Sequence, residues 1–328
     1  MNIHCCSVTD KNYLIPTIVT IGSVCLNNPQ SEVDYWLVVD KIGVNDENLV
    51  LQLERKFSNL RVHIIQFDNL TFPAYFVDII NKTLIGSYLT TASYGRLFIA
   101  KLLPENVEKV LYLDADVLCI GSLKELFNLD MSKCAVAAVL DSSLSESQHA
   151  AEIGVTKYIN AGVLLINLKL WREKKLTQHF IDYVANNSRK LKFHDQDTLN
   201  IILRKSIVVL PTKFNFQIQL EPYSRIQKEK IYTAVSLLHF VRSNKPWIKG
   251  ACNALEDIWI KYYERVFDKK FKYLESFDLK TRIILYIKWV SYYLAPLQSK
   301  RRNCIKKMIP AFIKVTFQRK NSKTKQSK

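Results

Sequence analysis

The chain has 328 residues, 48% of them hydrophobic, which is enough for a sizeable core and excludes a globally disordered polyelectrolyte. Lysine and arginine outnumber the acids 47 to 30, and the net charge of +17 points to an anionic partner: nucleotide phosphate, nucleic acid or anionic membrane. The seven cysteines, Cys5, Cys6, Cys25, Cys119, Cys134, Cys252 and Cys304, form no C-x-x-C pair; they exclude a disulfide framework and fit reduced, buried thiols in a cytosolic protein.

The first residues lack the basic start and long apolar stretch of a signal peptide. No run approaches the roughly 18 apolar residues of a membrane span. Ile3 to Val8 reads as a first strand, followed by the polar turn Thr9 to Tyr13 and a helix from Leu14 to Leu26. Strand, turn and helix open a nucleotide-binding α/β unit, here without a glycine-rich phosphate loop. Asp10 has two readings, as an N-cap or as an acceptor for a base N–H beside a stacking Tyr13. Strands are predicted at Tyr35 to Val39 and Val62 to Phe67, with an amphipathic helix at Asn45 to Phe57 between them. This alternation predicts a parallel sheet. Phe72 to Ser87 reads as a loop with helical turns, and Thr91 to Leu103 as a helix on which Arg96 stands out as a fixed cation.

Val110 to Leu113 is a short buried strand that runs into Asp114-Ala115-Asp116. Two carboxylates this close repel, most strongly at a low-dielectric sheet edge. A divalent cation relieves the repulsion and can bridge to phosphate oxygens. A solvated turn is the alternative reading. Leu123 to Phe127 is a helical turn, and Ala135 to Leu140 a strand ending at Asp141. In Asn160-Ala161-Gly162 an amide and two small residues precede another buried strand, and small residues admit close backbone approach. Trp171 to Val184 reads as a helix. His194-Asp195-Gln196-Asp197 then leads into the helical stretch Leu199 to Leu203. One cap explains one of those polar residues but not all of them together. His239 interrupts the late strand Leu237 to Phe240, either as a satisfied core histidine or as a third metal ligand, with Lys245 after it as a phosphate contact.

Together these stretches resemble family 8 glycosyltransferases of the bacterial lipopolysaccharide and lipooligosaccharide type, and general stress protein A-like transferases. The matching segments are Asp10 to Tyr13, Ser93 to Arg96, Leu113 to Val117, Asn160 to Asn167, His194 to Asp197, and His239 to Trp247. The resemblance implies an α/β GT-A fold, a Rossmann-like mixed sheet flanked by helices, with retaining transfer of galactose or glucose from a UDP-sugar. It implies dependence on Mn²⁺, with Mg²⁺ as the alternative. Asp114, Asp116 and His239 would bind the metal. Val8, Asp10, Asn12, Tyr13 and Leu113 would hold the nucleotide, and Lys245 the diphosphate. Arg96, Asn160, Ala161, Asp195 and Gln196 would surround the donor sugar, with Asp141 on the acceptor side. Gln196 is a poor nucleophile, which favours same-face attack over the carboxylate route of retaining glycosidases. Arg242 departs from the family, which commonly has glycine there.

Residues 1–250 are thus expected to be the catalytic domain and 251–328 a helical, basic region. From Lys269 onward cations crowd in among Ile283, Tyr286, Trp289, Tyr293, Ile305, Phe312 and Phe317. This composition suits an interfacial contact with an anionic membrane better than nucleic acid, since no recognition module accompanies it. The expected setting is the inner face of the cell membrane, with a glycolipid or oligosaccharide acceptor. The competing class is a basic membrane- or nucleic-acid-binding protein on a degenerate transferase scaffold.

Overall fold

Strands near the middle of the chain are apolar at successive positions, as strands covered on both faces must be. In the computed structural model, which describes residues 1–67, 72–83, 92–218 and 223–293, these strands form the centre of a seven-stranded sheet. The first elements are β1 (Asn2–Thr9), α1 (Leu14–Asn27), β2 (Glu32–Val39), α2 (Val44–Lys56), β3 (Leu60–Gln66) and α3 (Ala74–Thr83). Next come the short helices α4 (Ala92–Gly95) and α5 (Ile99–Leu102), then β4 (Lys109–Leu113), β5 (Val117–Cys119), α6 (Lys124–Phe127) and β6 (Val136–Leu140). They are followed by α7 (Gln148–Glu152), β7 (Ile159–Asn167), α8 (Leu168–Glu173), α9 (Leu176–Asn187), α10 (His194–Leu203), β8 (Ile207–Val209) and β9 (Phe216–Gln217). The last are α11 (Arg225–Ala234), β10 (Leu237–His239), β11 (Ile248–Lys249), α12 (Glu256–Phe267), β12 (Glu275–Ser276) and α13 (Leu279–Tyr293).

The chain divides into two compact units. The first holds Met1–Gln217, Ile231–His239 and Arg265–Asp268. Its main sheet has the order β3-β2-β1-β4-β7-β6-β8. β1 pairs in parallel with both β2 and β4, so the strand order reverses at β1. The carboxyl ends of β1 and β4 therefore flank the crevice where such sheets bind ligands. Side chains alternate across the strands. Cys6, Val8, Val110, Tyr112, Leu164 and Ile166 join a core covered by α3, α9 and α10. Ile3, Cys5, Leu111, Leu113, Val163 and Leu165 join the opposite core, covered by α1 and α2. A second sheet has the order β5-β10-β9.

The sheet is mixed, as the resemblance implied, because β7 runs antiparallel to β4 and β6. Three readings of the sequence need correction. Ala74–Thr83 is a full helix. The stretch around Arg96 is two short helices joined by a 3-10 turn at Arg96–Phe98. The predicted helix from Trp171 is split between α8 and α9 at Lys175, whose φ of 49° is left-handed.

The second unit holds Ile218–Lys230, Phe240–Glu264 and the chain from Lys269 on. β11 pairs with β12, and Phe271 lies edge-on to Trp259 and Tyr263 at 5.6 and 5.0 Å between ring centroids. Cys5, Cys6, Cys25 and Cys119 are free and buried, Cys134 and Cys252 are free and half-buried, and Cys304 lies outside the described residues. Ile305, Phe312, Phe317 and the other tail residues after Tyr293 also lie outside them. Among the described residues no helix is long and apolar enough to cross a membrane.

Candidate active site

The loop after β1 places the first group of predicted residues. One Asp10 carboxylate oxygen accepts from the backbone N–H groups of Asn12 and Tyr13 at 2.9 and 3.2 Å. It thereby caps the 3-10 turn Lys11–Tyr13 that leads into α1, and the capping reading holds. Tyr13 stays partly exposed at that entrance. Val8, at the end of β1, packs against Gly95, where a Cβ would stand 2.6 Å from the valine Cγ1. The missing side chain at Gly95 lets α4 close onto β1 and sets the start of the turn that bears Arg96.

Arg96 is the hub of the site. Its guanidinium meets Asp114 at 3.0 Å and Asp195 at 2.9 Å, and donates to the Ala161 carbonyl at 2.6 Å. It also lies over the Tyr112 ring, 4.8 Å from the centroid. Burial works against its charge, but Asp114, Tyr112 and Asp195 outweigh that and hold it protonated. Burial pushes the Asp195 carboxyl up to about 6 from an ordinary 3.8; Arg96 pulls it back and Asp114 adds to the rise. Tyr112 donates to Asp114 at 2.6 Å, and burial pushes its own phenol well above the usual range.

Strand β7 supplies its predicted site residues mostly through its backbone. The Ala161 N–H donates to Gln196 Oε1 at 2.9 Å, and Asp114 N–H donates to the Gly162 carbonyl at 2.8 Å. Leu113 contributes its carbonyl, which accepts from Ser7 Oγ at 2.6 Å. Asn160 donates to Asp141 at 3.0 Å, and Gln196 donates to the same carboxylate oxygen at 3.3 Å. Asp197, in the first turn of α10, is buried, where His149, Tyr158 and the Phe193 N–H all bind it, and it anchors the helix that also carries Asp195 and Gln196.

β10 pairs antiparallel with β5 and sets His239 opposite Val117, next to the aspartates. One ligand atom each from Asp114, Asp116 and His239 lies within 4.8 Å of the others. His239 Nε2 faces Asp116 Oδ1 at 3.2 Å. A Cβ on Gly162 would stand 2.8 Å from that Nε2 and 2.9 Å from Asp114 Oδ2, so only glycine leaves the cradle open. Two carboxylates and one imidazole form a donor set suited to Mn²⁺ or Mg²⁺, and the residues present fit the predicted ion.

Asn215 is a site residue that the sequence did not announce. It is 1% exposed and contacts His239 Nδ1 at 3.0 Å. A lone asparagine in Phe-Asn-Phe-Gln has no local pattern that marks it. In the second unit, Lys245 is buried and donates to the Phe240 carbonyl at 2.7 Å. Arg242 has a φ of 69°, the left-handed conformation that favours glycine. The backbone geometry suited to glycine is therefore retained by an arginine.

The family model "Glycosyl transferase family 8" matches residues 4–251. The chain belongs to that family. This family 8 transferase is 28% identical to a lipopolysaccharide 1,2-glucosyltransferase of Escherichia coli, over 77% of this chain and 76% of the relative. It is 30% identical to a lipopolysaccharide 1,3-galactosyltransferase of Salmonella typhimurium, over 73% of this chain and 71% of the relative. Among solved structures it is similar to the galactosyltransferase LgtC in complex with donor and acceptor sugar analogues. That match has a TM-score of 0.65 and 24% identity, covering 81% of this chain and 96% of the other, and the shared fold is GT-A. GlyE of Streptococcus pneumoniae matches with a TM-score of 0.61 and 22% identity, over 82% of this chain and 62% of the other.

Proposed function

We propose that this family 8 transferase moves galactose or glucose from a UDP-sugar to a lipopolysaccharide- or lipooligosaccharide-type acceptor, with retention at the anomeric carbon. The observation that carries the reading is the meeting of Asp114, Asp116 and His239 at the carboxyl end of β4, beside the Arg96–Asp195–Gln196 group. In this reading residues 1–250 are catalytic and 251–328 attach the enzyme to an anionic membrane at the cytoplasmic face.

Asp114, Asp116 and His239 would hold Mn²⁺. When bound, the ion supplies Lewis acidity and neutralises charge on the departing diphosphate. Tyr13 stacks on uracil, while Val8, Asp10, Asn12 and Leu113 border the nucleoside. Lys245 provides a fixed charge for the diphosphate. Asp195 is already committed to Arg96, and Gln196 is held through both ends of its amide. Neither is arranged as a free nucleophile, so the pair orients the sugar and the acceptor enters on the face that the leaving group vacates. The relatives named above differ in sugar and linkage, so the donor is settled by assay.

The test is UDP release and transfer from UDP-glucose, UDP-galactose and their N-acetyl forms to truncated lipopolysaccharides, with and without Mn²⁺. One donor should support Mn²⁺-dependent turnover that Asp116→Asn and His239→Ala abolish. Metal-independent turnover would overturn the metal assignment, and none with any donor would favour a binding protein on a transferase scaffold. The complete metal set argues against that second reading.

A further inference from the structure

His239 is one end of a buried chain of amides that spans four segments. Asp141, Asn160, Asn215 and His239 are 7%, 7%, 1% and 4% exposed. Asn160 Nδ2 donates to Asp141 Oδ2 at 3.0 Å, Asn215 Nδ2 donates to Asn160 Oδ1 at 2.9 Å, and Asn215 Oδ1 meets His239 Nδ1 at 3.0 Å. The direction of every link follows from the first. A carboxylate only accepts, so Asn160 must turn its NH2 to Asp141 and its oxygen to Asn215. The Gly162 N–H, donating to Asn160 Oδ1 at 3.1 Å, enforces the same orientation. Asn215 then has to present its oxygen to His239. An imidazole nitrogen facing a carbonyl oxygen must carry the proton.

We propose that Asp141, Asn160 and Asn215 are a polarity relay that keeps a proton on His239 Nδ1, so that Nε2 is the nitrogen left to take the metal. The inference rests on the reading of Asp114, Asp116 and His239 as the metal site. The three residues are positioning residues: they act on the ion only through the imidazole. Metal-ligating histidines ordinarily give their other N–H to a carboxylate or a carbonyl. Here the carboxylate is two amides away, and it also receives Gln196. One carboxylate thus orients a metal ligand on one side and a sugar-side amide on the other.

The terminal acceptor allows an isosteric test. Asp141 Oδ1 already accepts from the Ser143 and Leu144 N–H groups at 2.9 and 3.0 Å. In Asp141→Asn the new amide must place its oxygen there, which turns its NH2 toward the NH2 of Asn160. Two donors then face each other, and the relay must break or invert. The full-length protein is labelled with ¹⁵N-histidine, the His239 ring nitrogens are read by NMR without metal, and Mn²⁺ affinity is measured by EPR titration. Wild type should show a protonated Nδ1, whatever the state of Nε2, which faces Asp116 Oδ1 at 3.2 Å without metal. Asn215→Leu should lose that signature and bind Mn²⁺ about 10–100-fold more weakly, the range for loss of such partners. Asn215→Asp, which can still accept from the imidazole, should recover affinity to within a few-fold. Asp141→Asn should lower affinity about 10-fold at unchanged shape, and it decides the matter should Asn215→Leu fail to fold. Wild-type affinity and an unchanged tautomer in Asp141→Asn would overturn the relay. Equal Mn²⁺ binding by wild type and His239→Ala would instead overturn the metal reading beneath it.

Discussion

The backbone of Gly162 passes against the imidazole of His239 so closely that a methyl group at residue 162 has no space. Its Cβ would fall 2.8 Å from Nε2 and 2.9 Å from the Asp114 carboxylate, and neither neighbour is the free end of a flexible chain. Gly162→Ala should displace one of these groups. Transfer should fall at least 100-fold and Mn²⁺ affinity about 10-fold, of the order seen when metal-site supports are lost. Far-ultraviolet circular dichroism should remain that of the wild type. Metal titration checks the first expectation, and normal affinity would show that the site can relax around the methyl.

Arg96 binds two carboxylates and a carbonyl with three different nitrogens. A lysine has one charged nitrogen and cannot span that set. Arg96→Lys should therefore lose transfer by 100-fold or more while retaining its charge. Arg96→Met leaves Asp114 and Asp195 without their shared partner, and breaking such a buried set costs about 3–5 kcal/mol. Urea denaturation of the metal-free chains measures this loss, and a smaller one for Met than for Lys would contradict it.

Asp195 makes a pH prediction with a definite sign. Its folded-state pKa lies near 6, against 3.8 ordinarily, so the folded chain holds this proton more tightly than the unfolded chain. The contribution is favourable at low pH and declines as pH rises between these values. Stability of wild type relative to Asp195→Asn should fall from about pH 4 to about pH 6 and level off above. Denaturation of both proteins across that range tests it, and a difference that grows with pH would reverse the assignment.

The chain beyond Tyr293 is rich in lysine and arginine and contains no acidic residue. β12 pairs with β11, and Phe271 belongs to the aromatic group around Trp259, so the segment just after Lys269 is part of the second unit's fold. A cut at residue 270 would remove structure as well as charge. Deletion of residues 294–328 should leave the melting temperature within a few degrees and release the protein from vesicles containing phosphatidylserine. Each cation near such a surface contributes about 1 kcal/mol, and binding should weaken with salt. Co-sedimentation with anionic and neutral vesicles measures this, and equal sedimentation of both forms would remove the tail from membrane attachment.

Much of the architecture was legible because alternation and apolar runs are local. Most of the predicted strands and the longest helices lie within a few residues of their observed ends. Strand direction was not legible in β7's own residues, which read the same in either polarity; the mixed sheet came from the resemblance, and the pairing of β7 with β4 and β6 shows it antiparallel. Arg96 was visible as a fixed cation just before the aspartate strand, but the 3-10 turn that aims it depends on Gly95 meeting Val8 from a distant segment. The aspartates and His239 were legible because their chemistry is costly without a partner. Asn215 was not, since its meaning comes from Asn160 on one side and His239 on the other.

The adjacent thiols of Cys5 and Cys6 lie in β1, between two partner strands, and burial pushes both well above the ordinary range for a thiol. A thiol-reactive dye can reach them only when the central strand leaves the sheet. Their labelling rate therefore counts excursions to the opened chain, whereas the half-buried Cys134 and Cys252 should label ahead of them. The protein carries its own clock for unfolding, and the slowing of that clock by Mn²⁺ and UDP would measure how much ligand binding resists the opening of the sheet.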